Sequence, residues 1–127
     1  MSINIFTNGT SGVRWDIETE KRFYSKEGKY LEPYGFKVYS QNDEDGIISE
    51  IFNRIGVTDK RFIEFGVQNG LESNCHYLLL KGWKGLWIEG NKKYCTDLRR
   101  RFKPVLEEGR LQLVNAFVTA ENINKLF

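Results

Sequence analysis

The sequence predicts an α/β protein built on a Rossmann-like, three-layer parallel sheet. Strand-like and helix-like segments alternate from residue 61 to residue 118, a pattern that favours parallel strands joined by crossover helices. A glycine-bearing turn, Glu64-Phe65-Gly66-Val67-Gln68-Asn69-Gly70, follows the first strand, and an acidic residue, Glu89, ends the second. Both features fall outside the carboxyl ends of strands, where ligands of open α/β sheets bind.

Residues 1–38 read as an N-terminal extension. Residues 3–6 have the look of a short strand, Asn8-Gly9 of a turn, and Asp16 of a cap on a sparse apolar pattern. From Ser40 the pattern sharpens. Ile47, Ile48, Ile51, Phe52 and Ile55 form one stripe of an amphipathic helix, opened by Asn42, Asp43, Glu44 and Asp45 and closed by Gly56.

Residues 61–65 then read as a strand, 74–81 as a helix stopped by Gly82, and 84–89 as a second strand. Asn91 opens a helix over 92–102 whose buried face is Tyr94, Leu98 and Phe102, spaced i, i+4, i+8. A third strand covers 111–118, with Pro104 in the loop before it. The crossovers are expected to be right-handed. Thr119 reads as the cap of a last helix carrying Ile123, Leu126 and Phe127. An apolar stripe with no C-cap implies a truncated sequence or a segment that docks on another chain.

Composition excludes several classes. A chain of 127 residues suits one domain. Nineteen basic against 17 acidic side chains give a net charge of +2, which is no argument for nucleic acid or an anionic membrane. Arg99-Arg100-Arg101 point in different directions on a helix and suit a solvated face. Two cysteines make neither a disulfide framework nor a zinc site, and a cytoplasmic location is the default. No apolar run approaches the ~20 residues of a spanning helix. The acidic run 43–45 reads as a helix start rather than a metal site, and His76 as a packing or surface residue.

The turn and the acid define a candidate site. Gly66 and Gly70 allow positive φ angles and close approach of a ligand to the backbone, and Glu64 would face a cationic group. Glu89 lies 19 positions after Gly70, close to the spacing of about 20 at which an acid meets ribose hydroxyls. Together they point to an adenosine-containing ligand. The pattern is E-x-G-x-x-x-G rather than the G-x-G-x-x-G that cradles a pyrophosphate, which favours a cationic cofactor over NAD. Trp83 and Trp87 read as core.

The run Tyr39-Ser40-Gln41-Asn42-Asp43-Glu44-Asp45-Gly46, with Phe62-Ile63-Glu64-Phe65-Gly66, Asn69-Gly70, Ser73-Asn74 and 82–91 (GWKGLWIEGN), resembles the FkbM-type methyltransferases over residues 39–127. The resemblance implies the first strands of a class I methyltransferase fold, S-adenosylmethionine as cofactor, and O-methylation of a sugar or other small hydroxyl acceptor. It assigns Gln41, Glu64, Gly66, Asn69, Gly70, Glu89 and Asn115 to the cofactor site, although Asn115 stands where class I enzymes often carry an acid. The family's acid-rich fourth strand has no counterpart here, so no catalytic residue is assigned and residues 39–127 are expected to be the cofactor-binding half. Two alternatives stay open: an enzyme binding NAD(P) or a nucleotide sugar, and a noncatalytic module that binds a partner through Ile123, Leu126 and Phe127 of the last helix or through the exposed sheet edge. An exposed edge on the first strand, or that helix, would support a homodimer.

Overall fold

The structure, a computed structural model, describes residues 30–127. The expected strand at 3–6, the turn at Asn8-Gly9 and the helix from Asp16 lie outside these residues. Two compact units are distinguished, Met1–Pro33 and Tyr34–Phe127, and the second holds every element discussed below.

Helix α1 (Glu44–Ile55) forms where the isoleucine stripe predicts it and stops at Gly56, whose φ of 78° no other residue adopts so cheaply. Its acidic start works differently from the expectation: Asp43, at the cap position, makes no side-chain cap bond. Asp45 is buried instead and turns back on the preceding chain. One of its oxygens accepts the amides of Val38 and Tyr39 at 2.7 Å and of Ser40 at 3.0 Å. The next residue, Gly46, donates its amide to the Phe36 carbonyl at 3.0 Å. Residues 36–40 are thereby fastened to the first turn of α1.

The strands are β1 (Arg61–Phe65), β2 (Lys84–Glu89) and β3 (Leu111–Asn115), all parallel and in the order β1-β2-β3. Helix α2 (His76–Leu80) connects the first two; α3 (Lys92–Arg101) and α4 (Lys103–Glu107) connect the second two; α5 (Ile123–Leu126) follows β3. Helix α3 starts as expected, with the Asn91 side chain accepting the Lys93 amide at 2.9 Å. Three expectations need correction. Pro104 lies in the first turn of α4 rather than in a loop, a position that tolerates its missing N–H. Strand β3 ends at Asn115 instead of 118. The last helix begins at Ile123, because the Asn122 side chain accepts the Thr119 amide and donates to the Phe117 carbonyl, holding 117–122 as a turn.

Residues in register share a face of the sheet. Phe62, Glu64, Trp87, Glu89, Leu111, Leu113 and Asn115 line one face; Ile63, Phe65, Leu86, Ile88 and Val114 line the other. The first face carries the core, where Phe62, Trp87 and Leu111 meet Ile48 and Phe52 of α1, Leu78 and Leu79 of α2, Leu98 of α3, and Val105 and Leu106 of α4. Trp87 is fully buried, with the Phe102 ring edge-on at 4.8 Å. Among the described residues helices α1–α4 pack on this first face. The physical reason is that successive crossovers of one hand, stepping across a sheet in one direction, leave their helices on one face. On the other face Ile63 is 51% and Phe65 61% exposed. No helix among the described residues is long and apolar enough to cross a membrane.

Candidate functional site

A cavity of about 320 Å³ opens beyond the carboxyl end of β1, lined by Gln41, Glu44, Phe65, Gly66, Glu72 and Asn74 among others. Its walls come from the segment fastened by Asp45, from the end of β1 and from the loop that leads to α2. Three carboxylates, Glu44, Glu64 and Glu72, belong to its lining, and no lysine, arginine or histidine does. The Glu44 carboxyl is held below the usual range by its own amide, then by the amide and side chain of Asn42, so it is ionised at neutral pH. Cavity walls of one sign concentrate counter-charge, so this lining favours a cationic group over an anionic one.

Glu64 is no idly solvated strand-end acid. It accepts the Ser73 hydroxyl at 2.7 Å, the Asn74 amide at 2.9 Å and the Cys75 amide at 3.1 Å. It thereby ties the loop and the start of α2 to the end of β1. A carboxylate has about four acceptor positions, and these three bonds, with the Cys75 thiol beside them, take up most of them. Burial, and then the charge of Glu64, push the Cys75 thiol far above the ordinary range, which favours its protonated form.

The two glycines expected to behave alike do not. Both have positive φ, 72° at Gly66 and 74° at Gly70. A β-carbon on Gly66 would meet nothing within 4 Å and would stand in the cavity. One on Gly70 would sit 2.8 Å from Leu98, 3.0 Å from Phe102 and 3.1 Å from Trp87. Gly66 borders the site, whereas Gly70 is a packing glycine facing the core and not the cavity. Asn69, between them, accepts the Leu71 amide on its side-chain oxygen at 2.9 Å, and the Gln41 amide group lies 3.4 Å from Glu72.

Glu89 is buried at the end of β2. Its oxygens accept the Gln68 amide at 2.8 Å and the Asn91 amide at 2.7 Å. Gln68 is the non-glycine residue with positive φ, 52°, among those described, and the Glu89 bond holds it in that strained region. Asn115, in register with Glu89 on β3, donates its side-chain amide to the carbonyls of Glu89 at 2.8 Å and Gly90 at 3.1 Å. The Phe117 ring lies against Gly90 and is 74% exposed.

The structure thus gathers Gln41, Glu64, Gly66 and Asn69 around one cavity, with Glu89 joined to its wall through Gln68. Gly70 lies behind the wall, and Asn115 supports the end of β2 from the side. Sequence reasoning assigned no role to Ser73, Gln68, Glu72 or Phe117, although Gln68 lies inside the glycine-bearing turn and Ser73 in a stretch that carries the resemblance. His76, stacked on Tyr39 at 3.8 Å and edge-on to Phe102, is a core residue. Among the described residues no group of three or more histidine, cysteine or acidic side chains is placed to hold a metal ion.

Fold and site define a parallel α/β protein with an acid-lined crevice at the strand ends. No protein-family model matches the chain, and no curated protein or solved structure matches it either.

Proposed function

We propose that residues 39–127 form the cofactor-binding half of a class I methyltransferase of the FkbM type, with S-adenosylmethionine as the cofactor. The observation that carries the reading is the cavity at the end of β1, with three carboxylates and no basic side chain, next to an acid on the neighbouring strand. S-adenosylmethionine pairs a cationic methionine end with a ribose diol, which this set of acceptors suits. Gly66, with no β-carbon and nothing within 4 Å of where one would stand, leaves room for the ligand. Glu64 sets its negative charge toward an ammonium group, and Glu89 accepts hydroxyl hydrogens by charge-assisted bonds. Phe117 offers an exposed ring for a purine to stack on.

When bound, the cofactor supplies the transferable methyl group, and the protein supplies binding and orientation. O-methylation of a sugar or other small hydroxyl acceptor is the reaction class this reading entails. The NAD(P) or nucleotide-sugar alternative suffers from the same carboxylates, because a pyrophosphate in that cavity would face like charge without a compensating cation.

Calorimetric titration with S-adenosylhomocysteine, and separately with NAD, tests the reading. Saturable binding of S-adenosylhomocysteine, weakened at least about tenfold by Glu89→Gln, is expected, since a hydrogen bond to a charged group contributes about 1.5–3 kcal/mol. Preference for NAD, or no binding of either by a folded chain, defeats it.

A further inference from the structure

Glu64 owes its orientation to the loop after the glycine-bearing turn, and within that loop Ser73 differs from its neighbours in burial. It is 3% exposed, between the exposed Glu72 and Asn74. A hydroxyl shut away from water needs a protein partner. This one donates to Glu64 Oε2 at 2.7 Å, a length typical of a hydroxyl on a charged acceptor. The Cys75 amide reaches the same oxygen at 3.1 Å, and the Asn74 amide reaches Oε1 at 2.9 Å. Those two are backbone donors, which any residue but proline would supply at 74 and 75. The Ser73 hydroxyl makes the shortest of the three bonds and the one that depends on a side chain.

We propose that Ser73 is a positioning residue of the cofactor site, its hydroxyl fixing the rotation of the Glu64 carboxylate so that the negative charge meets the ammonium group of the methionine end. The inference rests on the S-adenosylmethionine reading of the cavity. The last torsion of a glutamate side chain is broad and roughly two-fold, and a single amide on each oxygen leaves the carboxylate room to rock between them. A second donor on Oε2 removes that freedom. Ser73 and Glu64 both line the cavity, so the bond lies where the ligand is expected, and the hydroxyl, spent on Glu64, acts on the ligand through it. Such support matters because a binding group has to be held within about 0.5 Å of its working geometry. Alanine at 73 keeps the backbone donors of the loop and removes the hydroxyl.

Calorimetry on the full chain with a pair of nucleosides tests this. S-adenosylhomocysteine carries the ammonium group; methylthioadenosine has the same adenosine and sulfur without the amino-acid end. Ser73→Ala should weaken S-adenosylhomocysteine about fivefold to tenfold, the scale of one misaligned charge-assisted hydrogen bond, and leave methylthioadenosine unchanged. A merely structural role would weaken both alike. Ser73→Cys, which keeps the volume and a weaker donor, should fall between, and it carries the comparison if the alanine variant does not fold. In a Glu64→Gln background, adding Ser73→Ala should cost little more, because the pair acts as a unit. Equal losses on the two nucleosides, an undiminished affinity for S-adenosylhomocysteine, or a full further loss in the Glu64→Gln background overturns the proposal. A wild-type chain that binds neither nucleoside removes the cofactor reading itself, and this inference with it.

Discussion

Replacing Gly70 by alanine tests the division of labour between the two glycines of the turn. Two costs add at this position. A non-glycine residue in the left-handed region costs roughly 1–2 kcal/mol. The new methyl group, 2.8–3.1 Å from Leu98, Phe102 and Trp87, overpacks a closed core, at about 1–3 kcal/mol. Gly70→Ala should therefore lower unfolding free energy by about 2–5 kcal/mol, while Gly66→Ala, which meets nothing within 4 Å, carries only the first cost. Urea unfolding followed by tryptophan fluorescence reads the difference, because Trp87 is fully buried beside Gly70. In a domain of this size the extra loss at Gly70 appears as a melting temperature lower by about 5 °C or more. Equal destabilisation by the two variants would refute the assignment, as would a Gly70→Ala protein of normal stability that has lost only ligand affinity. Gly66→Ala is the variant expected to weaken S-adenosylhomocysteine.

Asp45→Asn should cost about 2–4 kcal/mol, since a neutral amide accepts the Val38, Tyr39 and Ser40 amides less strongly than a carboxylate; urea midpoints at neutral pH check this. Burial pushes the Asp45 carboxyl up, but the amides of Ser40, Tyr39 and Val38 together outweigh it and hold it below the usual aspartate range. Its contribution is thus present above the unfolded value of about 3.9 and lost as pH falls through the lower folded value, so Asp45→Asn should flatten the acid limb of the stability profile. Burial lowers the His76 pKa, against smaller opposing effects of the Gly70 backbone and of Asp45 and Glu64. The unfolded chain therefore takes up that proton first, and stability should decline as pH drops below about 6.5. His76→Phe keeps the ring packing and should remove this decline; an unchanged slope between pH about 7 and 5 counts against it.

The legible parts of the chain are those where local signals and long-range demands agree. Strands β1 and β2 lie where apolar runs bounded by turn residues put them, and Asn91 caps α3 as its chemistry dictates. The misreadings share a cause: a polar side chain read for its nearest neighbour acts on something further away. Asp45 was expected to complement its own helix and binds a loop several residues back. Thr119 was expected to start a helix that Asn122 postpones. Gly70 has the φ the sequence implies, yet what its missing β-carbon makes room for, Leu98, Phe102 and Trp87, comes from later elements. In the candidate site Glu64 could be found at the end of its strand, but Glu44 read only as part of a helix start, and Glu72 and Phe117 could not be found because no pattern in the string marks loop residues that the fold brings to the strand ends.

The bond from the Gln68 amide to Glu89 has a consequence for how the crevice can change over generations. In the proposed function one carboxylate both holds the turn behind the crevice wall and accepts the hydroxyls of the ligand's diol. Robustness of the turn and strength of grip are thus a single heritable trait at this position. A lineage that altered its ligand by replacing Glu89 would first have to find another way to hold Gln68 in its left-handed conformation, most simply by making residue 68 a glycine.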